Sequence, residues 1–198
     1  MNINFQLIKN FLQPNKILDI GAHLGEFNDY CKLYFPDSYI FSIEANKECE
    51  NILIQKNINY KICLLGNENK VVNFYKNKKD LLSTGNSIYK ELTHHFSEEN
   101  VLIETHEMER LDDIFNDNIS FDFIKIDTQG SEIDIIKGGE KLIKKCTAIL
   151  LETSYEPYNE GAPLENEVID YMKSIGFIQK AILDESICSK QRDILFVR

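Results

Sequence analysis

Asp127 closes the apolar run FDFIKID and Glu152 closes the run TAILLE, so two strand-like segments each end on a carboxylate. At the carboxyl edge of a sheet such a group can take the proton from a hydroxyl or anchor that hydroxyl, which is general-base chemistry. Lys125 stands two residues before Asp127, and side chains at i and i+2 of a strand share a face. A lysine charge inside a buried strand is costly unless it is paired. Lys125 is therefore expected to pair with Asp127 or with Glu152 and to set the charge and position of Asp127, the expected base. The competing reading is a structural ion pair that closes the strand end. His94 or His95, in the polar stretch LLSTGNSIYKELTHHFSEEN with Ser87 nearby, is the rival base. Two carboxylates suit a hard cation but do not specify one, and no obligatory metal is expected.

A second constellation lies in ILDIGAHLGEF, residues 17 to 27, where a buried strand runs into two glycines and then an amphipathic helix. In α/β proteins a nucleotide-like cofactor lies at such a turn, because glycine admits close approach and the next helix offers backbone N–H groups. GAHLG lacks the third glycine that pyrophosphate binding uses. Glu44 ends YIFSIE, about twenty residues on, where a carboxylate can accept from both hydroxyls of a ribose. With Asp19 near Gly21 to face a cationic tail, this spacing favours S-adenosylmethionine over a dinucleotide. The expected cofactor contacts are Glu44 on the ribose, Asp19, Gly21, Ala22, His23 and Gly25 around the methionine, and Ala45 beside the adenosine. Cys63, Leu64 and Leu65 are expected to flank the adenine. Ordinary turn and core packing is the competing reading for the glycines and the apolar trio.

Methyl transfer from such a cofactor to an alcohol needs the oxygen aligned with the methyl–sulfur bond and its proton removed. Tyr155, Tyr158 and the PYNEGAP loop follow a strand end, where aromatic faces and amides could hold a sugar ring. Ser87, His94, His95 and Glu132 complete the expected substrate contacts. Glu132 has an equal claim as a helix cap, since a carboxylate in a first turn is favourable on dipole grounds alone.

The elements that must position these residues alternate strand with helix. Strands are expected at 17–20, 39–44, 60–65, 121–127 and 147–152, with helices at 24–35, 47–55, from 131 and at 165–175. Such alternation implies βαβ units and a mostly parallel sheet covered on both faces. GFIQKAIL and DILFVR suit an antiparallel hairpin at the sheet edge. The stretch 66–108 reads as an irregular β and loop excursion over the site, and 1–15 contains a short N-terminal helix. One domain spanning 1–198 is the working organisation.

The segments DFIKIDTQGSEIDIIKGGEKLI and AILLETSYEPYNEGAPLENEVIDYMKSIGF, with the closing RDILFVR, resemble the signature run of the FkbM-type methyltransferases. ILDIGAHLGEF, FSIEAN and ERLDDIF extend the likeness over most of the chain in the expected order. The resemblance implies a class I methyltransferase fold, a Rossmann-like, doubly wound, mostly parallel seven-stranded sheet, and transfer of a methyl group from S-adenosylmethionine to a hydroxyl, commonly on a sugar or natural product. The chain departs from the family's usual KIDVEGAE at Thr128, Gln129 and Ser131, and from a frequent Asn at His23.

The bulk numbers narrow the acceptor. A formal net charge of −10 disfavours a nucleic-acid partner, whose binding draws on clustered lysine and arginine. The lysines of KVVNFYKNKK read as a solvated face. Five cysteines without a CxxC pair suggest neither a zinc site nor a disulfide framework, and reduced thiols fit a cytoplasmic protein. No segment has the length of a membrane span, and the N-terminal apolar residues lack the features of a signal peptide. A sugar or glycan hydroxyl is the leading acceptor. A small lipid, polyketide or peptide acceptor, or a silent cofactor-binding domain, are the alternatives, and a homodimer is a possible assembly.

Overall fold

The computed structural model describes residues 3–198; the first two residues of the expected N-terminal helical region lie outside them. Helix α1 covers Phe5–Phe11, followed by β1 (Lys16–Ile20), α2 (Glu26–Tyr34) and β2 (Tyr39–Glu44). A 3₁₀ turn at Lys47–Cys49 leads into α3 (Glu50–Gln55), and then come β3 (Tyr60–Ile62), β4 (Leu64–Gly66), β5 (Lys70–Asn77) and β6 (Val101–Arg110). The remainder is α4 (Leu111–Ile114), β7 (Phe123–Ile126), α5 (Glu132–Gly138), α6 (Glu140–Ile143), β8 (Ala148–Ser154), α7 (Glu165–Ser174), β9 (Ile178–Ser186) and β10 (Gln191–Val197).

Seven strands form one sheet in the order β3-β2-β1-β7-β8-β10-β9. The first five run parallel, and β10 is antiparallel to both β8 and β9. The C-terminal hairpin forms as expected, with β9 at the edge and β10 inside the sheet. Strand periodicity sorts the core: Leu18, Ile20, Ile124, Ile126 and Leu151 face one cluster with α5, α6 and α7, whereas Ile17, Phe123, Leu150 and Leu195 face another with α1 and α2.

Two expectations need correction. The run 60–65 is not one strand: β3 pairs with β2, while β4 leaves that sheet and pairs with β6 beyond Cys63. Local apolar pattern does not report a change of partner, because pairing is non-local. The stretch 66–108 is more regular than expected. β5 and β6 run antiparallel over Lys70–Asn77 and Val101–Arg110 and form with β4 a three-stranded second sheet, leaving 78–100 as the connecting strap.

Candidate active site

The carboxyl ends of β1, β2 and β7 border a cleft of about 680 Å³, counted out to its open mouth. Gly21 lies at its base. With φ of +78°, it occupies the left-handed region, and a Cβ there would stand 1.8 Å from the Asp127 carbonyl oxygen. This close approach seats the glycine turn against the end of β7. Gly21 and Ala22 donate their N–H groups to the Ile43 carbonyl at 2.9 and 3.1 Å, which ties the same turn to β2.

Glu44 forms one wall. Its Oε2 accepts from the His23 N–H and its Oε1 from the Asn46 N–H, both at 2.7 Å. A carboxylate retains further lone pairs for hydroxyl donors. Burial pushes its carboxyl above the usual range, and the two backbone donors offset that only in part. His23, Ala45, Cys63, Leu64 and Leu65 line the cleft with it.

The strap roofs the cleft, contributing Ser83, Thr84, Asn86, Ser87 and Ile88 to its lining. The side chains of His23 and Asn46 meet the carbonyls of Leu82 and Leu81, each at 2.7 Å. Ser87 lines the cleft, but its hydroxyl is engaged, lying 3.0 and 2.9 Å from the carbonyls of Thr128 and Gln129. Among the cleft residues not singled out in the sequence, Asn46 has a local signal in its place after the strand YIFSIE, whereas nothing local marks Ser83, Thr84 or Asn86.

Asp127 stands at the other wall with its side chain 27% exposed. Lys125, 3% exposed, places Nζ 3.1 Å from Asp127 Oδ2, 3.7 Å from Asp19 Oδ1 and 3.1 Å from the Gly21 carbonyl. The pairing with Asp127 is one of the two alternatives drawn from the sequence; the proximity of Asp19 was not foreseen. Burial works against both charges, yet Asp127 and Asp19 hold the Lys125 ammonium well above its ordinary value, and Lys125 holds the Asp127 carboxyl below its own. An ionised carboxylate open to a cleft can accept a proton from a hydroxyl placed there.

The remaining expected residues stand outside the cleft lining. Asp19 is fully buried beneath the turn, its side chain on the α2 face of β1, and burial raises its carboxyl to about 6. Ala22 faces inward, and Gly25 packs where a Cβ would meet Ile58 Cδ1 at 2.3 Å. Glu152 accepts from Gln129 and from Gln191, the latter at 2.9 Å, and burial with the Asp127 charge raises its carboxyl well above normal. Glu132 caps the 128–130 turn, accepting from the N–H groups of Thr128 at 2.9 Å and Gly130 at 3.1 Å; burial pushes it up to about 7. Its carboxylate serves the backbone. His94 and His95 are exposed on a 3₁₀ turn, their rings tilted against each other with centroids 3.9 Å apart. Arg192 covers the Tyr155 ring at 4.6 Å, and Tyr158 is half-buried in the loop that docks on the strap, its carbonyl accepting from Leu92 N–H at 2.8 Å.

The methyltransferase FkbM domain matches residues 19–178, from the strand that holds Asp19 into the final hairpin. The chain belongs to the FkbM methyltransferase family. FkbM membership makes S-adenosylmethionine the cofactor, and the cleft fits it, with apolar surface from Leu65 and Ile135 for a base and the Glu44 carboxylate for hydroxyls. No curated protein matches the chain. Among solved structures, similar folds include a putative RNA methyltransferase from Pyrococcus horikoshii at 11% identity and TM-score 0.54, covering 98% of this chain and 79% of that one. An S-adenosylmethionine-dependent methyltransferase from Aquifex aeolicus follows at 12% and 0.51, covering 100% and 91%. M. capricolum TrmK, in complex with S-adenosylhomocysteine, matches at 10% and 0.55, covering 100% and 68%. These likenesses concern the fold. Among the described residues no helix is long and apolar enough to cross a membrane, and no group of three or more His, Cys, Asp or Glu could hold a metal ion.

Proposed function

We propose that this FkbM-family methyltransferase is an O-methyltransferase that methylates a sugar or glycan hydroxyl, with Asp127 as the base. The observation that carries the reading is the pairing of Asp127 with buried Lys125 at 3.1 Å while its carboxylate still opens to the cleft. The cofactor supplies an already activated methyl group, so the protein's tasks are to align the acceptor oxygen and receive its proton. Lys125 keeps Asp127 ionised for that step. Glu44, with His23 and Asn46 behind it, would hold the ribose, and Gly21 would let the methionine end approach the backbone. The excursion of 66–108, with its strap, would shield the transfer from water, within a single functional unit of 1–198. A net charge of −10 supports an uncharged acceptor over nucleic acid.

Deuterated-methyl cofactor, incubated with the protein and fractionated extract of the source cells, tests the acceptor by mass spectrometry. Label in a methylated monosaccharide is the expected result; label confined to lipid, peptide or metabolite fractions overturns the sugar. Asp127→Asn is expected to lower the initial rate by ~10²–10⁴-fold, the usual weight of a positioned base, with cofactor affinity by calorimetry unchanged.

A further inference from the structure

Beside Asp127 lies a hydrogen-bonded pair of glutamines that the proposed methyl transfer does not use, and Gln129 of this pair itself lines the cleft. Gln129, 9% exposed, and Gln191, 8% exposed, reach each other from the turn after β7 and the start of β10, with Gln191 Nε2 3.1 Å from Gln129 Oε1. Gln129 Nε2 also donates to Asp127 Oδ1 at 3.3 Å and to Glu152 Oε2. Gln191 Nε2 donates to the same Glu152 oxygen at 2.9 Å. Each amide nitrogen has two N–H groups and each is matched to two acceptors, so both amide orientations are determined by the network. Gln129 adopts φ of +57°, a conformation that residues with a Cβ seldom take, and its amide is the bridge between the two carboxyl groups.

The charges around this bridge are unbalanced. Asp127 and Lys125 belong to the end of β7; Asp19 faces them from β1, Glu44 from β2, Glu132 from α5, Glu152 from β8 and Asp193 from β10, with Asp184 of β9 behind it. From α2 comes only the Cys31 thiol beside Asp19. Among the described residues of this group Lys125 is the one ammonium, and it contacts Asp127, not Glu152. Carboxyl groups this close do not all ionise, and the one beside the cation keeps the charge. A glutamate at position 129 would add another anion, whereas glutamine supplies donors without charge.

We propose that Gln129 and Gln191 are positioning residues, a carboxamide bridge whose Gln129 amide donates to Asp127 Oδ1 while tying it to Glu152, and so favours the negative charge on Asp127 without adding another anion. The inference rests on the reading of Asp127 as the acceptor's base. Loss of the bridge, or a charge placed in it, would raise the proton affinity of Asp127 and move the pH at which it is available.

The test is a ¹³C NMR titration of the side-chain carboxyl carbons in the protein saturated with S-adenosylhomocysteine, with Asp127→Asn and Glu152→Gln as assignment standards. In the wild type, Asp127 is expected to titrate well below Glu152 and to be ionised at pH 7. Gln129→Glu should raise the Asp127 midpoint by about one unit, a tenfold gain in proton affinity. Gln129→Met, which loses the donors without adding charge, should raise it less. If Gln129→Glu does not fold, Gln191→Glu brings the same charge in from β10. An unmoved Asp127 midpoint in folded Gln129→Met, or in either folded glutamate variant, overturns the bridge. The titration requires no acceptor and no turnover, so its failure is distinguishable from failure of Asp127 as a base.

Discussion

Glu44 and Asp127 both lie at the carboxyl edge of the same sheet, and they are held in opposite ways. Glu44 is held by two backbone N–H groups, from residues 23 and 46, and its carboxyl is pushed up by burial. Asp127 is held by the ammonium of Lys125, and its carboxyl is pulled down against the opposing effect of burial. Two neutral donors reduce the cost of burying a charge; a cation at contact distance reverses it. Under the proposed function, the difference suits one group to bind hydroxyls and the other to remove a proton.

The comparison breaks most visibly at Lys125. Lys125→Met leaves Asp19 and Asp127 without their cation and is expected to cost about 3–5 kcal/mol, the usual penalty for stranding a buried charge, read as a lowered urea midpoint at pH 7. A cost below ~1 kcal/mol would mean that the ion pair does not govern this wall, since surface pairs contribute about that much.

Glu44→Ala addresses the other wall. Loss of hydrogen bonds to a charged group, about 1.5–3 kcal/mol, should weaken S-adenosylmethionine binding by roughly 10- to 100-fold in calorimetry. Unchanged affinity would remove Glu44 from the cofactor site.

A smaller effect separates the carboxyl groups by pH. Burial raises Asp193 to about 7 and Glu132 to about 7, above their ordinary unfolded values. Each therefore contributes stability that is complete below about pH 4 and is lost as pH rises through 7. Asp127, shifted downward, acts with the opposite sign: its contribution is present at neutral pH and lost as pH falls through its depressed value. Asp193→Asn should flatten the decline in unfolding free energy between pH 5 and 8 by about 1–2 kcal/mol, and an unchanged slope would show that Asp193 titrates normally.

The smallest expected effect is at His94 and His95, exposed and away from the cleft lining. Replacing either with alanine should alter stability by less than ~0.5 kcal/mol, as at ordinary surface positions, with the methyl-transfer rate unchanged. A rate loss like that of Asp127→Asn would restore a histidine as the base.

Much of this was legible in the chain because it is local. A strand ending on a glycine turn announced Gly21 and His23, and Glu44 followed at the end of the next strand. The i, i+2 spacing put Lys125 beside Asp127. The parts that escaped involve partners far apart in sequence. Glu132 looked equally suited to substrate and to cap, and only the folded 128–130 turn shows its oxygens occupied. Ser83, Thr84 and Asn86 belong to a polar segment with no periodicity, and they reach the cleft because the strap is drawn over it at Leu81 and Leu82.

The sequence by itself determined the alternation of strand and helix, the glycine turn and the types of charged residue at the strand ends, since those follow from periodicity and steric rules acting over a few residues. Tertiary structure alone decided that β4 leaves its expected sheet, that Asp19 lies buried beneath the cleft, and that Gln191 reaches Gln129 and Glu152, 62 and 39 residues away in sequence. Sheet pairing, burial and the sharing of charge among carboxyl groups are properties of neighbours in space, which no local pattern encodes.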